Sequence, residues 1–124
     1  MKRLTVLLCL LFAAHAAAQP PAAAAASERE IQGLFAALGD SGCRFQRNGS
    51  WYDAATARAH LQRKYTALRK RGTVGSAERF IDLAATRSSM TGTPYAVRCG
   101  EAPPVASRTW FLARLAALRA ATRR

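Results

Sequence analysis

Ser76 to Cys99 reads SAERFIDLAATRSSMTGTPYAVRC, and this stretch decides the fold. Ser76 is a typical helix N-cap, and the spacing of the apolar residues that follow it predicts an amphipathic helix. A polar loop with Gly92 and Pro94 comes next, and apolar and polar residues then alternate from Tyr95 to Cys99, as in a strand. This helix, loop and strand require other elements to cover their apolar faces.

A second alternating segment, Cys43 to Arg47, is the natural partner of that strand. Asn48-Gly49 follows it and favours a tight turn, because both residues tolerate a positive φ. Ser50 to Tyr52 can then return as a brief further strand. Cys43, Phe45 and Arg47 share one face of the first segment, and Tyr95, Val97 and Cys99 share one face of the second. We therefore predict antiparallel pairing with Cys43 opposite Cys99.

The same register places Phe45 opposite Val97, and it brings the two cysteine side chains to one face. Residues directly opposite each other in an antiparallel pair are close enough for a sulfur bridge. We therefore predict a disulfide between Cys43 and Cys99.

Three further helices are predicted from caps and apolar periodicity. Ser27 and Glu30 form a capping box before the first helix, Asp53 caps a basic second helix, and Ser107 caps a fourth. Glu101 to Val105 (EAPPV) is predicted to be an irregular connector. The predicted fold is α+β, with about four helices around a small two- to three-stranded antiparallel sheet and one disulfide.

The N-terminal region predicts export of the protein. Residues 1–18 combine two basic residues, a short apolar run and a small-residue cleavage site, which is typical of a bacterial signal peptide. Residues 19–26 (QPPAAAAA) are predicted to be a flexible Pro/Ala leader and residues 27–122 a single α+β domain. We expect no transmembrane segment and a periplasmic or secreted location, where disulfides form.

The chain is basic, with 19 Lys and Arg against 7 Asp and Glu and a net charge of +12. Removal of the signal peptide lowers this charge by two. A strongly basic protein favours acidic partners, here an anionic envelope component or another envelope protein. An arginine- and alanine-rich composition also arises from a GC-rich genome without selection for binding. The sequence shows no specific nucleic-acid motif.

Catalysis has little support in the sequence. His60 is the only histidine after the signal peptide, so any general base or metal site would have to include it. Ser88 and Ser89 lack the glycine pattern of a nucleophile elbow, and the acidic residues are scattered. We expect no metal and no cofactor, and a small hydrolase using His60 with Ser88 or Ser89 remains an alternative.

Binding is the leading hypothesis. The register places Arg47 opposite Tyr95 beside the turn, near Trp51 and Tyr52, and such an aromatic–arginine cluster suits a glycan or a peptide, although the aromatic rings could instead close the core. The second candidate surface is the basic end of helix two, and a third hypothesis is a protein–protein interaction module through helix four and Trp110. The candidate binding residues are Arg47, Asn48, His60, Lys64, Ser88, Ser89, Tyr95, Arg69, Lys70 and Arg71.

Four strings, FQRNGSWY, AxxHLxxKY, SAERFID and SSMTGTPYAV, resemble the YfeK-like family of small secreted bacterial proteins of unknown function. The resemblance covers about Cys43 to Cys99. It implies a periplasmic location and no mechanism, and because some members of that family lack the cysteine pair, it implies that the disulfide is a local addition and not the organising feature of the family. The motif positions are Arg47, Asn48, Gly49, His60, Lys64, Glu78, Ser88, Ser89, Gly92, Pro94 and Tyr95.

Overall fold

A computed structural model describes residues 20–124, so the predicted signal peptide at 1–18 lies outside the described residues. The elements follow one another in this order: α1 Pro21–Asp40, β1 Arg44–Arg47, β2 Ser50–Tyr52, α2 Ala54–Lys70, α3 Ala77–Ala84, β3 Ala96–Arg98, β4 Val105–Ala106 and α4 Ser107–Thr122. The predicted α+β class is confirmed. Within residues 20–124, no helix is long and apolar enough to cross a membrane.

The four strands form one antiparallel sheet in the order β2-β1-β3-β4. Phe45 lies opposite Val97, as the predicted register requires. The predicted disulfide is confirmed, because Cys43 and Cys99 are joined by an S–S bond of 2.00 Å. A shift of one residue would have turned these side chains to the other face, and the cysteine pair selects this register among those that keep the same face.

The sheet of the described residues has four strands, whereas two or three were predicted. The EAPPV segment, predicted to be irregular, ends in Val105, which starts the two-residue strand β4 against β3. Two residues are too few to show an alternation, and the prolines before them are tolerated because β4 lies at the sheet edge.

Helix α1 begins at Pro21, six residues before the predicted cap, so the capping box at Ser27 and Glu30 is wrong and residues 21–26 are helical. Proline suits the first position of a helix, and the alanine run after it has the highest helix propensity. The Ser27 hydroxyl instead lies 3.0 Å from the carbonyl oxygen of Ala23 and 3.2 Å from that of Gly75.

Two of the remaining predicted caps are confirmed and one is wrong. Asp53 accepts a hydrogen bond from the Thr56 amide at 2.8 Å, and Ser76 accepts one from the Arg79 amide at 3.1 Å. Ser107 is the first helical residue of α4 and not its cap, because the chain enters α4 directly from β4. Its Oγ is buried and has no hydrogen-bond partner among the described residues.

The core lies between the inner face of the sheet and the four helices. Helices α1 and α4 approach closely at Gly33, where a Cβ would lie 3.0 Å from the Leu118 side chain. Within residues 20–124, six aromatic residues are buried: Phe35, Phe45, Tyr65, Phe80, Tyr95 and Phe111. Polar side chains from several elements meet outside this core, at the end of the sheet that carries the turn between β1 and β2.

Candidate functional site

The turn between β1 and β2 supplies the first functional side chain. Arg47 is the last residue of β1, and Asn48 and Gly49 follow it with φ values of 50° and 81°. Positive φ at both central residues fits a hairpin turn that follows the right-handed twist of the strands. The turn therefore fixes Arg47 at the end of the sheet.

Helix α2 supplies His60 and Lys64, which lie one turn apart and therefore on the same helix face. Both side chains reach Tyr95, the residue before β3, whose side chain is only 2% exposed. The Lys64 ammonium donates to Tyr95 Oη at 3.1 Å and to the Arg87 carbonyl at 3.0 Å. His60 Nε2 lies 3.1 Å from the same phenol oxygen.

These contacts form a directed hydrogen-bond chain. A lysine ammonium can only donate, so Tyr95 accepts from Lys64 and has its own proton available for His60 Nε2. In the arrangement that uses every donor, His60 is neutral and carries its proton on Nδ1. The Lys64 ammonium has three N–H donors, and these two bonds leave one for another acceptor.

Arg47 adds a second cationic group beside the Lys64 ammonium. Its guanidinium carbon lies over the Tyr52 ring, 5.0 Å from the centroid, which is within the range of a cation–π contact. Tyr52 was not among the predicted binding residues. We call Arg47, Tyr52, His60, Lys64 and Tyr95 the Arg47 cluster.

The pKa values show how burial and neighbouring positive charges affect the side chains of the cluster. Burial, and then the positive charges of Arg47, Lys64 and Arg63, lower the pKa of His60 to about 4. Burial and then Arg47 lower the pKa of Lys64 to about 8. Burial raises the pKa of Tyr95, against a smaller opposite effect of Arg47. Arg47 therefore acts on every titrating member at the centre of the cluster.

No carboxylate neutralises this charge. The ion pairs between described residues join Arg69 to Glu28, Arg108 to Asp82, and Arg119 to both Glu30 and Glu78. Arg47, His60 and Lys64 take part in none of them. The cluster therefore contains two cations, the Arg47 guanidinium and the Lys64 ammonium, which are held by strands, helix and aromatic rings and have no ion-pair partner in the described chain.

A rim of polar side chains lies beside the cluster and joins the turn to the loop before β3. Thr91 Oγ1 donates to Asn48 Oδ1 at 2.7 Å and lies 3.2 Å from Thr93 Oγ1. Thr91 lies in the predicted polar loop, but its role as the link to Asn48 depends on a partner 43 residues away in the chain. This rim presents hydroxyl and amide groups next to the cations.

The two candidate serines do not join His60. Ser88 is buried, and its Oγ accepts from the Thr91 amide at 3.3 Å. Ser89 is exposed and lines a separate groove of about 450 Å³ with Arg87 and other residues. Among the hydrogen bonds of residues 20–124 there is none between His60 and either serine, so the structure does not assemble a Ser–His pair.

The basic end of α2 is a separate surface. Arg69 pairs with Glu28 at 3.7 Å and lies against the Tyr65 ring, whereas Lys70 and Arg71 are exposed. Lys70 is six residues beyond Lys64, which is roughly 9 Å along a helix axis. The structure therefore does not bring the two predicted binding surfaces together.

Trp110 on α4 is only partly available to a partner. It is half-buried, and its ring packs at 85° against Phe111 with the ring centroids 5.0 Å apart. The Arg114 guanidinium lies over the Trp110 ring, 5.7 Å from its centroid. Trp110 is therefore packed against the edge of the hydrophobic core and is only partly exposed on α4.

Comparison with known proteins identifies a family to which the chain belongs. The model of the family of unknown function DUF5329 matches residues 25–119, so the chain belongs to that family. The match covers the sheet and all members of the Arg47 cluster. No curated protein and no solved structure matches the chain. Within residues 20–124, no group of three or more His, Cys, Asp or Glu side chains is arranged to hold a metal ion.

Proposed function

We propose that this DUF5329 protein is a non-catalytic binding protein of the bacterial envelope, and that the Arg47 cluster holds an anionic group of its ligand. One observation carries the proposal: His60 and Lys64 both contact Tyr95, Arg47 is near enough to lower the pKa of both, and none of the three forms an ion pair with a carboxylate of the described chain. Such an arrangement costs stability, and an anion in contact with Arg47 and Lys64 would relieve it.

The cluster is built to keep its donors in position. Arg47 lies over the Tyr52 ring, and Lys64 is held between two oxygen acceptors with one N–H remaining. Donors fixed before binding lose little conformational entropy when the ligand arrives. Arginine can bind two oxygens of a carboxylate or phosphate side by side, and lysine adds a point charge.

A neighbouring polar rim suits a ligand with hydroxyl groups around its anionic group. Asn48, Thr91 and Thr93 lie next to Arg47 in the turn and the loop, and all three are exposed. Acidic polymers and glycolipids of the envelope combine anionic groups with hydroxyls. We therefore propose an anionic envelope component as the ligand, in preference to another envelope protein.

The same contacts favour binding over hydrolysis. His60 Nε2 is engaged by Tyr95, and its low pKa of about 4 makes it a weak base at neutral pH. The hydrolase with Ser88 or Ser89 and the interaction module on α4 therefore remain weaker alternatives. The periplasmic or secreted location and the YfeK-like resemblance remain part of the proposal, and the disulfide fits an oxidising compartment.

The test is a titration of the disulfide-intact protein, without residues 1–18, with purified lipopolysaccharide at low and at high salt. Arg47→Gln and Lys64→Gln are expected to weaken binding about tenfold each, since each removes a charged hydrogen bond to the ligand. Circular dichroism of each variant checks that it is folded.

Arg71→Gln is the matched control, because it removes one positive charge from the end of the same helix, outside the cluster. We expect its affinity to equal that of the wild type. If Arg71→Gln weakens binding as much as Lys64→Gln, attraction by net charge alone explains the binding and the proposed site is wrong. Absence of any saturable binding would reject this ligand.

A further inference from the structure

The outer face of the sheet carries a second group of uncompensated cations. The register of β1 and β3 places Arg44 directly opposite Arg98, and both side chains are exposed. Like charges in directly opposed positions destabilise an antiparallel pair. Because side chains alternate between faces, this pair lies on the face opposite to Arg47.

Nearby acidic side chains do not neutralise the pair. Neither arginine takes part in an ion pair with another residue of the 20–124 segment. Asp53 has a lowered pKa mainly because the Thr56 amide donates to it, and Arg44 only adds to this effect. Its carboxylate is therefore already used as the cap of α2. Glu101 borders the pair without contacting either guanidinium within 4.0 Å.

The backbone around the pair is fixed and open. Cys43 and Cys99 lie next to the arginines, and their disulfide holds the Cα atoms 4.3 Å apart. The sequence is mirrored about the bridge, because Gly42-Cys43-Arg44 leads into β1 and Arg98-Cys99-Gly100 leads out of β3. Both glycines have a positive φ, and a Cβ on either would meet nothing within 4 Å.

A groove of about 300 Å³ results, and its lining consists of Gly42, Arg44, Arg98, Gly100 and Glu101. Two guanidiniums can each donate paired hydrogen bonds, and a tetrahedral phosphate has enough oxygen atoms to accept from both. With Glu101 included, the lining carries one net positive charge, which favours an anion. Because two guanidiniums donate into the groove, the anion that fits best has several oxygen atoms.

We propose that the Arg44–Arg98 pair is a second anion site, which binds phosphate or the terminal phosphate of a phosphomonoester. The site uses residues outside the Arg47 cluster, so it stands independently of the proposed function. The covalent bridge beneath it keeps the two guanidiniums in range of one ligand.

The test is an NMR titration of the ¹⁵N-labelled, disulfide-intact protein with inorganic phosphate, read at the Gly42 and Gly100 amides. We expect saturable shifts at both glycines, an affinity about tenfold lower in Arg44→Gln, and an unchanged affinity in Lys64→Gln. Shifts confined to the surroundings of Lys64, or an unchanged response in Arg44→Gln, would overturn the second site and leave the first one standing.

Arg98→Glu separates binding from folding. It replaces two opposed like charges with an opposed ion pair, so its melting temperature should equal or exceed that of the wild type. The phosphate response should nevertheless disappear. A folded Arg98→Glu protein that still responds to phosphate would overturn the proposal.

Glu101→Gln tests the predicted charge balance of the groove and should strengthen phosphate binding, because it removes the one acidic group of the lining. Weaker binding in this variant would count against the site. Cosedimentation with phosphatidate vesicles, compared with neutral vesicles, then identifies the source. If the protein binds phosphatidate vesicles and this binding requires Arg44, the ligand of the site is a lipid headgroup. If the protein responds to inorganic phosphate and not to the vesicles, the ligand is free phosphate.

Discussion

Two arginines of this protein meet opposite surroundings. Arg119 on α4 donates to Glu30 on α1 through Nε at 2.6 Å and pairs with Glu78 on α3 through Nη1 at 2.5 Å, which joins three helices. Arg47 lies over the Tyr52 ring and lowers the pKa of His60 and Lys64, without an ion-pair partner in the described chain. We call Arg119, Glu30 and Glu78 the Arg119 network.

The pKa directions separate these two regions. Hydrogen bonds to Glu30 and then to Glu78 raise the pKa of Arg119, and the bond from Arg119 lowers the pKa of Glu78. In the Arg47 cluster, burial and like charges lower the pKa of both His60 and Lys64. The first region is stabilised by its charges and the second is destabilised by them, so only the second has a reason to bind an external anion.

The largest effect on stability should come from the Arg119 network. Arg119→Met leaves the Glu30 and Glu78 carboxylates without their shared partner, and because all three groups are partly exposed the expected loss is about 1–2 kcal/mol. Urea unfolding measures this loss. Ligand binding should stay unchanged, and a comparable loss of binding would show that the two regions are coupled.

The opposite result is expected at Lys64. Lys64→Met removes a cation from a crowded, half-buried position and replaces it with an apolar chain of similar length, so stability should stay equal or rise by up to about 1 kcal/mol. The same urea experiment applies. A clear loss of stability would mean that the bonds to Tyr95 and Arg87 hold the fold together, and that the cluster resembles the Arg119 network after all.

The pH dependence gives a smaller effect with a defined sign. His60 has a pKa of about 4 in the folded protein and 6.5 as the ordinary value, so between these values the unfolded chain binds more protons. Stability should therefore fall as the pH decreases from 6.5 to 4. Because carboxylates add their own acid dependence, the measurement is the difference between the wild type and His60→Gln across this range. Parallel curves would contradict the prediction.

Ligand binding has its own pH dependence, through Lys64. The ammonium form binds an anion and the neutral amine does not, so affinity should decrease as the pH rises through about 8, the pKa of Lys64. A titration series on either side of that pH measures the effect. Lys64→Gln is the control, since its affinity should be lower but independent of pH in this range.

The smallest effect is expected from Arg69, a predicted binding residue that the structure pairs with Glu28. The pair is long, at 3.7 Å, and the Arg69 side chain is 66% exposed. Surface pairs of this kind contribute about 0–1 kcal/mol, so Arg69→Gln should alter neither unfolding nor binding beyond that scale. A large loss of binding would move the proposed site to the end of α2.

The sequence was sufficient where the signal was local or periodic. Alternation around Cys43 and Cys99 fixed the register, and the caps at Asp53 and Ser76 follow from side-chain chemistry within one helical turn. It was misleading at Glu30, whose carboxylate bonds to Arg119 across 89 residues instead of capping α1. No local pattern carries such a contact, and a two-residue strand such as β4 carries no pattern at all.

The candidate site was predictable in part for the same reasons. The register placed Arg47 with Tyr95, and helical spacing placed His60 with Lys64. Whether these cations have counter-ions depends on where every acidic side chain goes in three dimensions. Four of them, Glu28, Glu30, Glu78 and Asp82, are used in ion pairs with arginines elsewhere in the fold. The uncompensated charge is therefore a property of the tertiary structure.

The disulfide also affects how the protein would respond to proteases. Every member of the Arg47 cluster lies between Cys43 and Cys99, within the covalently closed part of the chain. In that part of the chain Met90, on the loop before β3, is a large apolar residue that is 96% exposed. A single proteolytic cut in this loop would leave two fragments still joined through sulfur, with Arg47 and Lys64 on one fragment and Tyr95 on the other.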